Sequence, residues 1–417
     1  MPQVKPEVEA FARIKVIGVG GSGKNASNHM INSKVRGVDF IVVNTDSQDL
    51  HHSLAKKKIH IGKNLTRGLG TGMNPELGKR AAEETKEEVQ NSLKGADMVF
   101  IAGGMGGGTG SGAAPVVAQV AKDLGILTVA VVTKPFFFEG TQRNKLADQA
   151  LDELKKSVDA LIVIPNDRLL QTVSRDTSAR NAFSMCDEVL KQAVEGISDL
   201  ITTPGIINID FADIRAVMEN AGPALMGVGC ATGEKRAEEA AKLAINSPLL
   251  DISINGAKGV LFSIAGGDDL GMLEIQDAAK VITESIDSNA RVIFGTVHDE
   301  RLKKGEVKVT VIASGFPEPS IYKAGMSGYS SSLSSIQRTD HSQPKEEPRG
   351  KIYNNAEPMA ASAPVKEVPV QVVIEQTPQA TSFSSNSNDD SKKIIIDDTQ
   401  DDDWGAVPAF LRRSKLK

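Results

Sequence analysis

A glycine-rich segment at residues 103–112 restricts what this chain can fold into more than any other stretch. It holds seven glycines in ten residues, after an apolar run at 98–101 and before a helix expected from Ala113. Glycine loses the most backbone freedom on folding, so the segment is unfavourable unless the backbone must approach something closely. A glycine turn leading into a helix presents free N–H groups and the positive end of the helix dipole. The segment therefore predicts an anion-binding loop.

A second glycine loop lies at residues 18–25, at the end of an apolar run that begins at residue 14, and a helix is expected from near Asn25. Its glycines fit the dinucleotide fingerprint G-x-G-x-x-G and are Gly18, Gly20 and Gly23. Lys24 also completes a P-loop pattern, but Asn25 stands where that loop needs a hydroxyl for Mg²⁺. Two glycine loops, each between a strand and a helix, predict several phosphates held from two sides.

Composition narrows the class of protein. The formal net charge of −5 argues against a general nucleic-acid binder. Cys186 and Cys230 have no metal-ligand spacing, so we expect buried thiols in a reducing compartment and no metal site made by the protein alone. Residues 1–13 lack the apolar core of a signal peptide, and no apolar run is long enough to cross a bilayer. We expect a cytoplasmic protein that reaches membranes only through a partner.

Apolar runs alternate with helical segments between residues 12 and 177, and these runs are 14–19, 40–43, 98–101, 126–132 and 161–164. Because they are apolar throughout, they predict strands buried on both faces of a parallel sheet. One helix is predicted over residues 75–93, with Asn74 as its N-cap and Pro75 at its first position. The predicted fold class is α/β, with a parallel-sheet domain over residues 12–177.

The later segments have other patterns. Residues 178–203 predict one long helix, because apolar residues recur every three or four positions. Residues 204–316 predict a smaller α/β domain with a mixed sheet, made of a short strand, a helix and three β-like runs at 260–265, 291–297 and 307–313. Residues 317–396 are rich in polar residues and proline and have no periodicity, which predicts a disordered linker.

The last segment, residues 397–417, combines an acidic block with apolar anchors and a basic end. Apolar anchors at the end of a disordered tether predict a short motif that orders on a partner protein. The alternative is a tail with no binding function. The residues expected to bind the partner are Pro408, Phe410, Leu411, Arg412 and Arg413.

Several motifs together resemble the FtsZ family, the tubulin-like GTPases of bacterial cell division. They are 106–112, which fits the tubulin-type signature loop, Asn44-Thr45-Asp46, 138–140 with Arg143, 208–213 and 407–413. The resemblance implies a tubulin-like fold: a Rossmann-type GTPase domain, a central helix, a smaller C-terminal activation domain and a disordered tail. It also implies hydrolysis of GTP, with Mg²⁺ bound with the nucleotide, by a head-to-tail homopolymer that forms the Z ring at midcell under the inner membrane. Membrane-anchoring and regulatory division proteins would bind the tail.

The resemblance also implies which residues bind the nucleotide. They are Gly20, Gly21, Ser22, Gly23, Lys24, Asn25, Asn44, Gly106, Gly107, Gly108, Thr109, Gly110, Glu139, Arg143, Asn166, Phe183 and Asp187. Ser22 and Lys24 depart from the almost pure glycine run of the family, and Lys24 is expected to add a charge near a phosphate. By resemblance, Arg143 lies near the phosphates and Glu139 near the ribose.

Ordinary structural roles remain as alternatives for some of these residues. Glu139 and Arg143 have the spacing of a helical i,i+4 ion pair. Asp187 fits a solvated helix face, and Phe183 fits a core position. As a ligand group, the Asp187 carboxylate can accept from both N1–H and the exocyclic amine of guanine, a donor pair that adenine lacks.

The resemblance assigns catalysis to Asn208, Asp210 and Asp213, in a loop that enters the nucleotide pocket of the neighbouring subunit and orients the attacking water. The structural alternative is that Asp210 caps a helix whose first turn holds Asp213. Two other functions remain open for the whole chain. One is an NAD-dependent Rossmann oxidoreductase, based on the first glycine loop, and the other is a GTP-binding regulator that does not polymerise.

Overall fold

One ten-stranded β-sheet runs through the described part of the chain. The structure is a computed structural model that describes residues 12–171, 177–250, 254 and 256–316. The predicted linker 317–396 and peptide 397–417, with its partner-binding residues, lie outside the described residues. The strands are β1 Ile14–Val19, β2 Val38–Asn44, β3 Lys57–His60, β4 Met98–Gly104, β5 Leu127–Lys134, β6 Ala160–Pro165, β7 Gly222–Thr232, β8 Gly259–Gly266, β9 Arg291–His298 and β10 Glu306–Ser314.

The strands follow the order β3-β2-β1-β4-β5-β6-β7-β10-β8-β9. Strands β1 to β7 are all parallel, which confirms the predicted parallel sheet. Strand β10 runs antiparallel to β7 and β8, while β8 and β9 are parallel, so the C-terminal part of the sheet is mixed, as predicted. The pairing of β6 with β7 joins the two parts into one continuous sheet.

Helices cover both faces of this sheet. They are α1 Gly20–Asn32, α2 Ser47–His51, α3 Lys63–Thr66, α4 Pro75–Glu84, α5 Lys86–Leu93, α6 Gly108–Asp123, α7 Thr141–Ser157, α8 Asn166–Leu170, α9 Ala179–Thr202, α10 Phe211–Met218, α11 Arg236–Ile245 and α12 Met272–Glu284, with a 3-10 turn at Phe137–Glu139. Neighbouring strand residues belong to different cores. Val16 packs in the core that contains Leu190 of α9, and Ile17 packs in the core that contains Ala113 of α6. Burial on both faces explains the continuous apolar runs.

Three helix boundaries differ from the prediction. Residues 75–93 form two helices, because Thr85 leaves the helical conformation and its hydroxyl donates to the carbonyl of Ala81 at 3.3 Å. Helices α1 and α6 begin inside the glycine loops, at Gly20 and Gly108, rather than near Asn25 and at Ala113. Low helix propensity of glycine argued for later starts, and packing against neighbouring elements overrides it.

Two strands were missed and one was wrongly predicted. Strand β3 is short, and β7 carries Gly222, Gly227 and Gly229. A Cβ at Gly229 would collide with the carbonyl oxygen of Ala240, so these glycines allow α11 to lie directly on the strand. The short strand expected at the start of 204–316 is absent from that described stretch. Instead, Ile207 exchanges two hydrogen bonds with Thr296.

Candidate nucleotide-binding site

A cavity of about 360 Å³ opens at the carboxyl ends of β1, β4 and β5, where ligands bind in open parallel sheets. Most of the predicted nucleotide-binding residues line it. These are Gly20, Gly21, Ser22, Asn25, Gly107, Gly108, Thr109, Gly110, Glu139, Arg143, Asn166, Phe183 and Asp187. The fold thus brings together segments that are separated by more than a hundred positions in the sequence.

The N-termini of α1 and α6 meet at this cavity. Gly20 has a φ of +73°, and a Cβ there would lie 3.1 Å from the backbone nitrogen of Gly110. Glycine therefore fits without strain where the two loops touch, and any other residue would be strained there. Neither helix has an acidic residue in its first turn. Neither helix therefore places a carboxylate of its own against its free N–H groups, and two helix N-termini with their dipoles at one cavity favour the binding of an anion.

Side chains hold the second glycine loop in shape. The hydroxyl of Ser111 accepts from the backbone N–H of Gly106 at 2.9 Å. The hydroxyl of Thr109 lies 2.8 Å from that of Thr45 and 3.3 Å from that of Thr71. Gly106 has a φ of +89° and lies against the backbone of Arg143, so it shapes the loop from outside the cavity lining.

The opposite end of the cavity is formed by α8 and α9. Phe183 packs edge-on against Phe136, with ring centroids 5.3 Å apart. Burial raises the pKa of Asp187 to about 7, and the charges of His29 and Lys24 only partly oppose this shift. The side-chain oxygen of Asn166 is buried and has no hydrogen-bond partner among the described residues. Such an acceptor calls for a donor from a ligand.

An ion pair and a cysteine also line the cavity. Arg143 donates to Glu139 at 3.1 Å, and the other oxygen of Glu139 accepts from the backbone N–H of Phe136 at 3.0 Å. The i,i+4 ion pair that the spacing suggested is therefore present, and both of its members line the cavity. Cys186 also lines it, and burial raises the pKa of its thiol to about 12, so the thiol is a poor nucleophile.

Comparisons with known proteins agree with this geometry. Residues 13–174 match the GTPase domain of the Tubulin/FtsZ family, and residues 222–317 match the C-terminal domain of the FtsZ family. An FtsZ dimer from M. jannaschii is 45% identical, with a TM-score of 0.71 over 74% of this chain and 89% of that one. The chain belongs to the FtsZ family.

More distant solved structures show the same fold. A GDP-bound CetZ1 monomer from Haloferax volcanii is 23% identical, with a TM-score of 0.65 over 75% of this chain and 97% of that one. A CetZ2 protofilament bound to GTPgS, from the same organism, gives 0.63 at the same identity and coverage. Because the GTPase-domain match spans the first glycine loop, the G-x-G-x-x-G pattern there belongs to a GTPase domain and lends no support to the oxidoreductase alternative.

Some predicted nucleotide residues of this FtsZ-family chain lie outside the cavity lining, namely Gly23, Lys24, Asn44 and Gly106. Lys24 was expected to extend toward a phosphate. It is instead buried, with its ammonium nitrogen 2.9 Å from an oxygen of Asp49. Asn44 donates to the other oxygen of Asp49 at 2.9 Å. Asp49 lines the cavity and was missed, because a single acidic residue in the short helix α2 carries no motif.

The segment Thr71-Gly72-Met73 also lines the cavity and was missed. Its sequence signal was visible, since glycines stand at positions 68, 70 and 72, before the N-cap of α4. Alternating glycines before a helix have the same character as the other two loops. A third glycine-rich segment at the nucleotide could have been inferred from them.

The predicted catalytic residues lie elsewhere. Asp210 caps α10 by accepting from the backbone N–H of Ala212 at 3.1 Å, and Asp213 stands in the first turn of that helix. Asn208 accepts from the backbone N–H of Gly205 at 2.7 Å. All three side chains are exposed and none lines the cavity. The cavity of one chain therefore lacks these polar groups.

The described residues include no group of three or more His, Cys, Asp or Glu side chains that could hold a metal ion. The carboxylates that line the cavity are Asp49, Glu139 and Asp187, and the first two are already in ion pairs. A divalent cation here would be held mainly by phosphate oxygens and water, which is how Mg²⁺ commonly accompanies nucleotides. No helix among the described residues is long and apolar enough to span a membrane.

Proposed function

We propose that this chain hydrolyses GTP at sites completed between successive copies in a head-to-tail filament, and that the filament forms the division ring of the cell. The observation that carries this proposal is a separation within one chain. The cavity offers two helix N-termini suited to anions and, from α8 and α9, the polar groups of Asn166 and Asp187, whereas Asn208, Asp210 and Asp213 lie exposed at or near the start of α10. A second copy would bring the two halves together.

The proposed reaction needs mainly positioning and charge neutralisation. The N–H groups of the two glycine loops bind the phosphates, and Arg143 adds positive charge from the cavity wall. Mg²⁺, which the lining would hold only through the phosphates of the nucleotide and water, would supply further neutralisation of the charge that develops during transfer. The carboxylates of Asp210 and Asp213 from the next copy orient a water molecule for attack on the γ-phosphorus. Asn208 helps to fix that loop.

Exposed apolar side chains support contact between two different faces. Leu69 and Phe138 are 70% and 64% exposed beside residues that line the cavity. Ile206 is 68% exposed just before Asn208. Burial of these side chains against a second copy would remove apolar surface from water and so favour association. Two different surfaces on one chain give a head-to-tail contact, which extends into a filament.

The test is the concentration dependence of the specific GTPase activity, measured with Mg²⁺ together with 90° light scattering. A shared site predicts that the activity per molecule rises steeply with protein concentration. Light scattering by the protein should rise over the same concentrations when GTP is added, and should not rise with ATP. A chain that binds GTP and shows constant specific activity without scattering would instead be the non-polymerising regulator. Failure to bind GTP at all would contradict both functions.

We also propose that residues 404–417 connect filaments in the cytoplasm to a membrane-anchored division protein at midcell. The support is the sequence alone: apolar anchors Phe410 and Leu411 beside Arg412 and Arg413, on a long tether that gives avidity along a polymer. Deleting 404–417 should leave GTP hydrolysis and scattering near wild type and abolish sedimentation with vesicles that carry the anchor. Sedimentation of the truncated protein with those vesicles would place membrane attachment in the globular part.

A further inference from the structure

The buried lysine of the first glycine loop has no role in the proposed reaction. Lys24 is 1% exposed and is among the largest fully buried side chains of the described chain. Its partner, Asp49, comes from α2, twenty-five positions later, and the two side chains are 2% and 5% exposed. Charged side chains are rarely buried so fully, and such a pair offsets its desolvation only when the geometry and the further hydrogen bonds are good. The pair therefore needs an explanation.

The ion pair begins a buried network that links the loops around the cavity. Asp49 accepts from Asn44 at 2.9 Å, and the oxygen of the Asn44 side chain accepts from the backbone N–H of Thr45 at 2.9 Å. The hydroxyl of Thr45 continues to Thr109 at 2.8 Å, and that of Thr109 to Thr71 at 3.3 Å. We call these residues the clamp network, and all are buried: Lys24, Asp49, Asn44, Thr45, Thr109 and Thr71.

The clamp network lies at the end of the cavity that the two glycine loops form, which we call the phosphate end. Three of its members line the cavity, and they are Asp49, Thr71 and Thr109. Thr109 belongs to the first turn of α6, and a Cβ at Gly21 would lie 3.5 Å from a carboxylate oxygen of Asp49. The network therefore touches both glycine loops. Asn166, Phe183 and Asp187, at the base end, are not members of it.

We propose that Lys24 and Asp49 are a positioning pair that holds the turn between β2 and α2 against both glycine loops, and so sets how strongly the pocket prefers GTP over GDP. This inference rests on the proposed GTPase function. No hydrogen bond of the network reaches Asn166 or Asp187, so at a pH where Asp187 is ionised both nucleotides keep base recognition. In this proposal the γ-phosphate, which only GTP carries, lies beside Thr109 and Thr71. Because the network holds these two residues in place, breaking the pair weakens the binding of GTP more than that of GDP.

Charge alone makes a different prediction for the same pair. Without Lys24, the carboxylate of Asp49 would lose this cation and would repel phosphates. Without the charge of Asp49, the unpaired ammonium of Lys24 would attract them. A purely electrostatic role therefore predicts that Lys24→Met weakens and Asp49→Asn strengthens nucleotide binding. A positioning role predicts that both variants weaken binding of the triphosphate.

The experiment measures GTPγS and GDP affinities of the full chain by fluorescence competition, below the concentrations at which scattering appears. The pH is kept well above 7 so that Asp187 is ionised in every variant, because Lys24 contributes to the field at Asp187. We expect Lys24→Met and Asp49→Asn each to lower GTPγS affinity about tenfold or more and GDP affinity less than about threefold. Arg236→Met is the control, because it removes another buried cation from its carboxylate partners, Asp269 and Glu274, which are 40% and 28% exposed and lie outside the cavity lining. It should lower the melting temperature without changing the GTPγS-to-GDP ratio.

The proposal is overturned if nucleotide affinity falls in Lys24→Met and rises in Asp49→Asn, because the pair would then act through charge alone. It is also overturned if the GTPγS-to-GDP affinity ratio is unchanged in both variants. If Lys24→Met does not fold, Asp49→Asn decides alone, since an amide of the same size keeps the contact with Asn44. Wild-type protein that fails to bind GTPγS would instead contradict the proposed function, so the two failures are distinct.

Discussion

The cavity and the start of α10 both carry residues that the sequence predicted to handle GTP, and they are built in opposite ways. Three threonines at and beside the two glycine loops are buried and linked over long sequence distances, namely Thr45, Thr71 and Thr109. Asn208 and Asp210 are exposed and form hydrogen bonds to backbone groups two or three positions away. A preorganised pocket is suited to binding, whereas an exposed loop with local order is suited to docking on another surface. Each prediction below changes one region and leaves the other intact.

The largest effect is expected where the two glycine loops touch. Gly20→Ala forces a side chain into a φ of +73° and places its Cβ 3.1 Å from the nitrogen of Gly110. We expect GTP affinity to fall by about a hundredfold or more, because the strain and the displaced N–H groups act together. Gly125→Ala is the control, since Gly125 has a φ of +72° and an open surrounding. Equal GTP affinities for the two variants, by equilibrium dialysis, would show that the close approach of the loops is irrelevant.

The next effect separates hydrolysis from binding. Asp213→Ala should lower the GTPase rate of assembled protein by about a hundredfold, because positioned acid–base groups contribute on that scale. GTP affinity of the isolated chain should stay at the wild-type value, since Asp213 is exposed and outside the cavity.

Glu219→Ala provides a control at the other end of α10, where another exposed carboxylate lies. It should leave both quantities unchanged. Loss of GTP binding in Asp213→Ala would mean that α10 serves the pocket of its own chain.

A smaller effect is expected from the base end. Asp187→Ala removes a carboxylate that we expect to accept two guanine hydrogen bonds, at a cost of about 1–3 kcal/mol. GTP affinity should fall about tenfold to a hundredfold, and discrimination against ATP should fall with it. Glu188→Gln is the neighbouring control, because Glu188 pairs with His29 and does not line the cavity. Asp187→Ala protein that still prefers GTP to ATP would remove Asp187 from base recognition.

The glycine loops are where residues predicted from the sequence lie at the cavity. Gly20 and Gly110 lie in strand–loop–helix segments, and that pattern alone predicted an anion site. The same glycines misled the prediction of helix starts, because the sequence does not tell a glycine that faces a ligand from one that faces a helix. Gly112 is of the second kind, since a Cβ there would collide with the carbonyl of Pro75 in α4. Its role depends on helix packing that no local pattern encodes.

Polar pairs between distant positions could not be predicted from the sequence, for a different reason. The sequence marks Lys24 as a departure from the glycine run of the family and predicts that it adds a charge near a phosphate. Its direction is fixed by Asp49, and nothing in the sequence links positions 24 and 49. The pairing of β6 with β7, which joins the two parts of the sheet, could not be predicted from the sequence either. Periodicity identifies elements and motifs, while partners across the fold follow from packing.

The smallest expected effect is a pH dependence confined to the base end. The pKa of Asp187 is raised to about 7 by burial, so in the free protein this carboxyl gains a proton as the pH falls through 7. Guanine donors require the ionised form, so binding below pH 7 must first release that proton. GTP affinity should therefore be constant well above pH 7 and should fall by at most about tenfold for each pH unit below it.

Asp187→Asn should bind GTP more weakly and lose this pH dependence, while Glu188→Gln should keep it. The measurement is fluorescence titration with GTP between pH 6 and pH 8, at protein concentrations that give no scattering. If Asp187→Asn retained the wild-type pH profile, the titrating group would be another residue, and the difference between base end and phosphate end would need a different chemical basis.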